Sequence, residues 1–141
     1  MKKIGLIGGM SWESTAIYYQ LLNRMARERL GGLHSVDLLL RSFDFQEIGR
    51  LQTAGDWDGL TQMMVDAARG LEASGAGCLL ICTNTMHKMA AKVQAAVDIP
   101  LLHIGDAVAS AVHDSSATRP LLLATRSVSY THLRAHETEE N

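Results

Sequence analysis

Cys82 is the residue best placed to do chemistry, because it closes the apolar run Cys78-Leu79-Leu80-Ile81-Cys82 and is followed at once by Thr83-Asn84-Thr85. That order predicts a thiol between the end of a strand and the start of a helix, where unsatisfied N–H groups and the helix dipole stabilise a thiolate. Such a sulfur can attack an electrophile or exchange a proton. The alternative is a buried small hydrophobe, the common fate of a free cysteine, and position alone leaves the two readings open. Cys78 lies inside the apolar run and reads as inert core. An extended strand holds these two sulfurs about 13 Å apart at ~3.3 Å per residue, too far for a shared zinc ion or a disulfide. His87 falls in the next helical turn as a candidate supporting partner, Lys88 reads as a surface residue, and His103 reads as a hydrogen-bonded structural histidine. His132 and His136 have the i, i+4 spacing of a helical metal pair, but no third ligand accompanies them.

A second candidate is the glycine turn Gly5-x-x-Gly8-Gly9, which departs from a dinucleotide-binding fingerprint because Ile7 stands where that pattern needs glycine. It reads either as a tight strand-to-helix turn or as a backbone cradle for a small carboxylate or phosphate. No Gly-x-Ser-x-Gly elbow and no legible Ser-His-Asp set occurs.

The elements that must carry these residues alternate along the chain. A short apolar run, Lys3-Ile4-Gly5-Leu6-Ile7, leads through the glycine turn to Ser11, a helix cap with Glu13 in the first turn; Ile17, Leu21, Leu22 and Met25 then recur at helical spacing until Gly31-Gly32. Val36-Asp37-Leu38-Leu39-Leu40 predicts a second strand, residues 42–56 a polar loop, and Leu60, Met63, Met64, Ala67, Ala68 and Leu71 the inner face of a helix. The run 78–82 has the apolar character of a central strand, and Met86, Met89, Ala90 and Val93 repeat as a helix after it. Pro100 punctuates; residues 101–104 and 121–124 predict a fourth and a fifth strand around a helix at 107–112. This is an α/β fold, an open parallel sheet with helices on both faces, whose ligands belong at the carboxyl ends of the strands.

Composition narrows the partners. The 141 residues carry 13 Lys+Arg against 15 Asp+Glu, a net charge of -2, with 47% hydrophobic residues, which fits one globular domain with its own core. The near-neutral balance, without a basic cluster, supplies neither the counterion-release term of nucleic-acid binding nor a polybasic membrane contact. No apolar run approaches the ~18 residues of a membrane span, and the opening run is too short for a signal peptide. Two cysteines without a framework of partners suit a reducing cytoplasm, and the expected location is cytoplasmic.

Four separated segments resemble one family: Ile4-Gly5-Leu6-Ile7-Gly8-Gly9-Met10-Ser11-Trp12-Glu13-Ser14, Asp44-Phe45 with Gln52, Cys82-Thr83-Asn84-Thr85-Met86-His87, and Leu102-His103-Ile104. Together they resemble the aspartate/glutamate racemases, over residues 1–126. The resemblance implies cofactor-independent racemisation between two similar α/β domains, in which one cysteine thiolate removes the α-proton and a second thiol protonates the opposite face. It implies that Cys82 is the first of these cysteines, that Thr83, Asn84 and Thr85 hold the substrate carboxylate and amino groups, and that Met10 and Gln52 make further substrate contacts. The implied partner is a small amino-acid substrate, with a homodimer as the assembly of the longer protein. Related activities that share the fold and thiol chemistry are hydantoin racemase and maleate isomerase; a non-catalytic domain that binds a small carboxylate is a reading of a different class.

This sequence departs from the family in lacking the second-domain cysteine, typically in a Gly-Cys-Thr-like motif, and Cys78 cannot replace it from within the same strand. The expectation is a racemase N-terminal half, inactive alone, that exposes apolar surface and self-associates. Residues 127–141 are expected to form a disordered tail foreign to the family pattern.

Overall fold

The computed structural model describes residues 2–116 and 118–121. Three parallel strands, β1 (Lys3–Gly8), β2 (Leu38–Ser42) and β3 (Ala76–Ile81), form a sheet in the order β2-β1-β3. Register is continuous from Ile4↔Leu38 to Gly8↔Ser42 on one side of β1 and from Ile4↔Cys78 to Ile7↔Ile81 on the other. Five α-helices accompany it among the described residues: α1 (Trp12–Leu30), α2 (Phe45–Ala54), α3 (Trp57–Ala73), α4 (Ala90–Gln94) and α5 (Ile104–His113). The fold is therefore the expected open parallel α/β sheet.

Side-chain alternation along β1 sorts the two faces. Ile7 joins Leu60, Met64, Ala68, Leu79, Ile81 and Val93 in the main core, which α3 covers. On the opposite face, a Cβ added at Gly8 would stand 2.5 Å from Thr15 Cγ2 of α1. The expected inner face of α3 is seen, with Leu60, Met64, Ala67, Ala68 and Leu71 buried and Met63 half-buried. Burying a leucine or methionine of this kind contributes about 1.5–3 kcal/mol.

Capping follows the sequence closely at α1. Ser11 accepts from the Ser14 N–H at its start, and Gly31, with φ 75°, ends it. Its buried side differs from the expected one: Thr15 and Ala26 are buried and Tyr18 and Leu22 half-buried, whereas Ile17, Leu21 and Met25 stay 56%, 49% and 45% exposed. The apolar period thus marks one shoulder of the helix rather than the stripe that meets the sheet.

Five other expectations are corrected. The second strand begins two residues late, because the Val36 N–H goes to the Asn23 side chain of α1 rather than into the sheet. The expected polar loop at 42–56 contains α2, capped by Asp44 and Gly55 and held by only two buried residues, Ile48 and Leu51. β1, and not β3, is the central strand. The fourth strand reduces to one parallel bridge, Leu79↔Leu101, because His103 caps α5 and Ile104 already begins that helix. The predicted helix after β3 opens as a 3-10 turn, Thr85–Met89, before continuing as α4. Residues 122–124 of the fifth strand, the tail at 127–141, and His132 and His136 lie outside the described residues.

Two glycines test this packing. Gly9 has φ 84°, and a Cβ there would collide with the Phe43 backbone, so Gly9→Ala is expected to cost about 2 kcal/mol or more. Gly49, inside α2 with open space around it, is expected to gain about 1 kcal/mol as Gly49→Ala. Urea unfolding of the two variants checks both signs.

Candidate functional site

Parallel strands place their following loops along one edge of the sheet. Here these are the residues after Gly8, after Ser42 and after Ile81, and the first two are pressed together by a hydrogen bond from the Phe43 N–H to the Gly8 carbonyl at 3.0 Å. Part of the glycine turn is satisfied from within. Thr15 Oγ1 accepts the Gly9 N–H at 2.9 Å and donates to the Ser11 carbonyl at 3.0 Å. The Gly9 N–H, a donor that the cradle reading needs, is thus already engaged. Met10, within this turn, is buried at 4% exposure.

Cys82 is completely buried, at 0% exposure. Its backbone is tied on both sides: its N–H donates to the Ile7 carbonyl at 2.9 Å, and its carbonyl accepts from Ser14 Oγ at 2.7 Å. Burial pushes the thiol up to about 12, so it is neutral near pH 7. The expected stabilisation of a thiolate by a helix start is not realised. The helical segment that follows is a five-residue 3-10 turn with no side-chain cap, and desolvation outweighs what its short dipole supplies. Cys78 is half-buried, and burial raises its thiol as well, while Lys2 opposes that rise.

Thr83 and Thr85 are half-buried and Asn84 is exposed, and among the described residues none of their side chains makes a hydrogen bond within the protein. Three polar groups therefore stand open at the carboxyl end of β3. His87, 2% exposed, braces them from below. Its Nδ1 lies 2.8 Å from the Thr83 carbonyl, which can only accept, and its Nε2 takes the Ile104 N–H at 3.3 Å. The proton must sit on Nδ1. His103 packs edge-on to this ring with centroids 4.6 Å apart and caps α5 by accepting the Gly105 N–H at 2.9 Å. His103 is hydrogen-bonded, in line with its structural reading. Lys88, exposed as expected, lies 3.9 Å over the Trp57 ring and fastens the 3-10 turn to α3.

Thr83, Asn84 and Thr85 thus share one loop beside Cys82, and Met10 follows the neighbouring strand. Gln52 is near the far end of α2, about 12 Å along the helix from its Asp44 cap at 1.5 Å per residue, and its side chain makes no hydrogen bond to the other candidates. Two residues not singled out as site candidates belong to the same edge. Trp12 and Phe45, the first residues of α1 and α2, are 66% and 51% exposed and form an apolar rim. The available signal was a large aromatic directly after a helix cap, where no core position exists. Among the described residues there is no cluster of three potential metal ligands, and no helix is long and apolar enough to cross a membrane.

Residues 7–137 match the family model described as Asp/Glu/Hydantoin racemase. A candidate Asp/Glu racemase from Yersinia pestis shares 50% identity over 80% of this chain and 49% of its own, with a TM-score of 0.78. An aspartate racemase homologue from Pyrococcus horikoshii OT3 shares 32% identity over 97% of this chain and 61% of its own, with a TM-score of 0.84. The aspartate racemase of Picrophilus torridus, at 19% identity, has the same fold, with a TM-score of 0.75 over 96% of this chain and 57% of its own. This chain therefore spans only 49% to 61% of the length of these proteins.

The raised thiol makes stability depend on pH in a defined direction. An unfolded Cys82 ionises near 9 and the folded one near 12, so its contribution is complete below pH 9 and lost as pH rises through 12. Between pH 8 and 11 the protein is expected to lose on the order of 2 kcal/mol more than Cys82→Ala does, measured by urea unfolding. Parallel curves for the two proteins would remove the buried neutral thiol.

Proposed function

The chain belongs to the Asp/Glu/hydantoin racemase family, and from that premise we propose that it is the first of two similar lobes of an amino-acid racemase acting on aspartate, glutamate or a similar substrate. The observation that carries this reading is the open polar stretch Thr83, Asn84 and Thr85 adjoining a thiol at the carboxyl end of β3. Hydroxyl and amide groups without internal partners can bind the carboxylate and ammonium of an amino acid without first breaking protein hydrogen bonds.

Racemisation moves one proton off Cα and returns one to the opposite face, so its balance needs two acid–base groups and no oxidant. Cys82 is the proposed group of this lobe. A thiol raised to about 12 is a stronger base once ionised than an ordinary thiol, which narrows the gap to the weakly acidic Cα–H. The loop donors would stabilise the developing carbanion through the bound carboxylate. The opposite acid–base group belongs to the second lobe, since Cys78 sits on the same strand as the approach to Cys82.

The complete burial of Cys82 favours one further reading, a lobe that binds small carboxylates without turning them over. Hydantoin racemase and maleate isomerase chemistry are the enzymatic alternatives, distinguished by substrate. The 141-residue chain alone is expected to leave L- and D-aspartate unconverted. The longer protein that carries these residues is expected to exchange the Cα proton of aspartate or glutamate in heavy water, and Cys82→Ala to slow that exchange on the order of a thousandfold. Exchange that survives Cys82→Ala but is lost in Thr83→Ala would move the acid–base role to Thr83. No exchange, with binding intact, would establish the non-catalytic lobe.

A further inference from the structure

α5 is apolar in composition, yet none of its ten residues is buried. Ile104, Val108, Ala111 and Val112 recur at i, i+4, i+7 and i+8, the stripe of a helix that packs on a partner. The sheet β2-β1-β3 does not supply that partner. Along the chain its hydrophobic core ends at Leu101, and among the described residues no residue of α5 joins it or packs against it. Val108, in the middle of the stripe, is 54% exposed. α5 is tied to the lobe at its first residue, where the Ile104 N–H donates to His87 Nε2 at 3.3 Å.

The chain that follows α5 offers a matching surface. Leu121, 82% exposed, opens the run Leu121-Leu122-Leu123-Ala124, whose composition predicts a strand that starts after Pro120. This run has no free place beside Leu79 of β3, because the Leu79 N–H already goes to the Pro100 carbonyl and its carbonyl already accepts the Leu102 N–H, both at 2.9 Å. The other edge of the sheet, β2, lies on the far side of β1. α5 is nearer in sequence and fits in length: ten helical residues span about 15 Å and four extended residues about 13 Å. The connection 114–120 is long enough to fold the run back along the helix.

We propose that the apolar stripe of α5 is a docking surface for residues 121–124 of this same chain, and that the lobe built on β2-β1-β3 ends at Leu101. Helix and run together form a separate packing unit, the first helix and strand of another α/β layer. Two exposed apolar surfaces, each unable to join the core of the first lobe, are covered by each other. The joint between the unit and the lobe is then His103, whose ring caps α5 while the adjacent His87 holds the Thr83 carbonyl. The inference rests on packing and does not depend on the racemase reading.

The test is methyl and amide nuclear magnetic resonance of the 141-residue chain. Overhauser contacts are expected from the Val108 and Val112 methyls to those of Leu121, Leu122 and Leu123. In the double variant Leu122→Asp, Leu123→Asp, the α5 amides are expected to exchange with heavy water at least tenfold faster, while those of Leu6 and Ile7 keep their rates. Missing Overhauser contacts, or equal α5 exchange in parent and variant, would overturn the proposal. Faster exchange at Leu6 and Ile7 as well would place the run in the core of the first lobe, and α5 protection that grows with protein concentration would make a second copy the partner; either result overturns it. No substrate enters the readout, so failure of the racemase reading would leave this result standing, and the reverse holds as well.

Discussion

The fit of Thr15 against Gly8 is the contact on which the rest of the site depends. A side chain at Gly8 would occupy the space that Thr15 fills, so β1 and α1 approach more closely than two ordinary residues allow. The same threonine takes the Gly9 N–H and returns a hydrogen bond to the Ser11 carbonyl. The turn between strand and helix is thereby closed by its own residues. With the first turn of α1 fixed in this way, Ser14 reaches the Cys82 carbonyl across 68 residues of sequence.

That approach decides the character of the thiol. Ser14 of α1 ties down the Cys82 backbone, burial excludes water from the side chain, and the sulfur stays neutral despite standing before a helical turn. The residues immediately after it escape the cover. Thr83, Asn84 and Thr85 turn out to the carboxyl edge, while His87 below them holds the Thr83 carbonyl and links it to the start of α5. The two histidines are each committed to a backbone N–H of α5, which gives the loop a stiff base without a metal or disulfide among the described residues. The open groups are thus set on a rigid support, as binding with little ordering cost requires.

Local signals in the sequence located most of this frame. The Ser11 cap, the Gly31 stop, the inner face of α3 and the run that became β3 each depend on neighbours within a few residues, and each is present. What failed depends on distant partners. α2 buries only Ile48 and Leu51, too few apolar positions to stand out from a polar stretch. The fourth strand stops at Leu101 because the His103 side chain caps a helix instead. The stripe Ile17, Leu21 and Met25 is periodic but does not face the sheet, since Gly8 selects Thr15 and its neighbours. The loop 83–85 was legible as a candidate site from its place after an apolar run, whereas the state of Cys82 was not, because complete burial depends on tertiary packing and not on its neighbours in the sequence.

The central claim is that the carboxyl edge of this lobe, at the turn after β1 and the loop after β3, is where an amino acid binds. The most direct measurement is the amide spectrum of the nitrogen-15-labelled 141-residue chain titrated with L-aspartate and L-glutamate. Saturable shifts at Ser11, Thr83, Asn84 and Thr85, with the groove between β2 and α3 at Leu39, Met63 and Ser74 unmoved, are the predicted result. Shifts confined to that groove, or none at all in a folded protein, would contradict it.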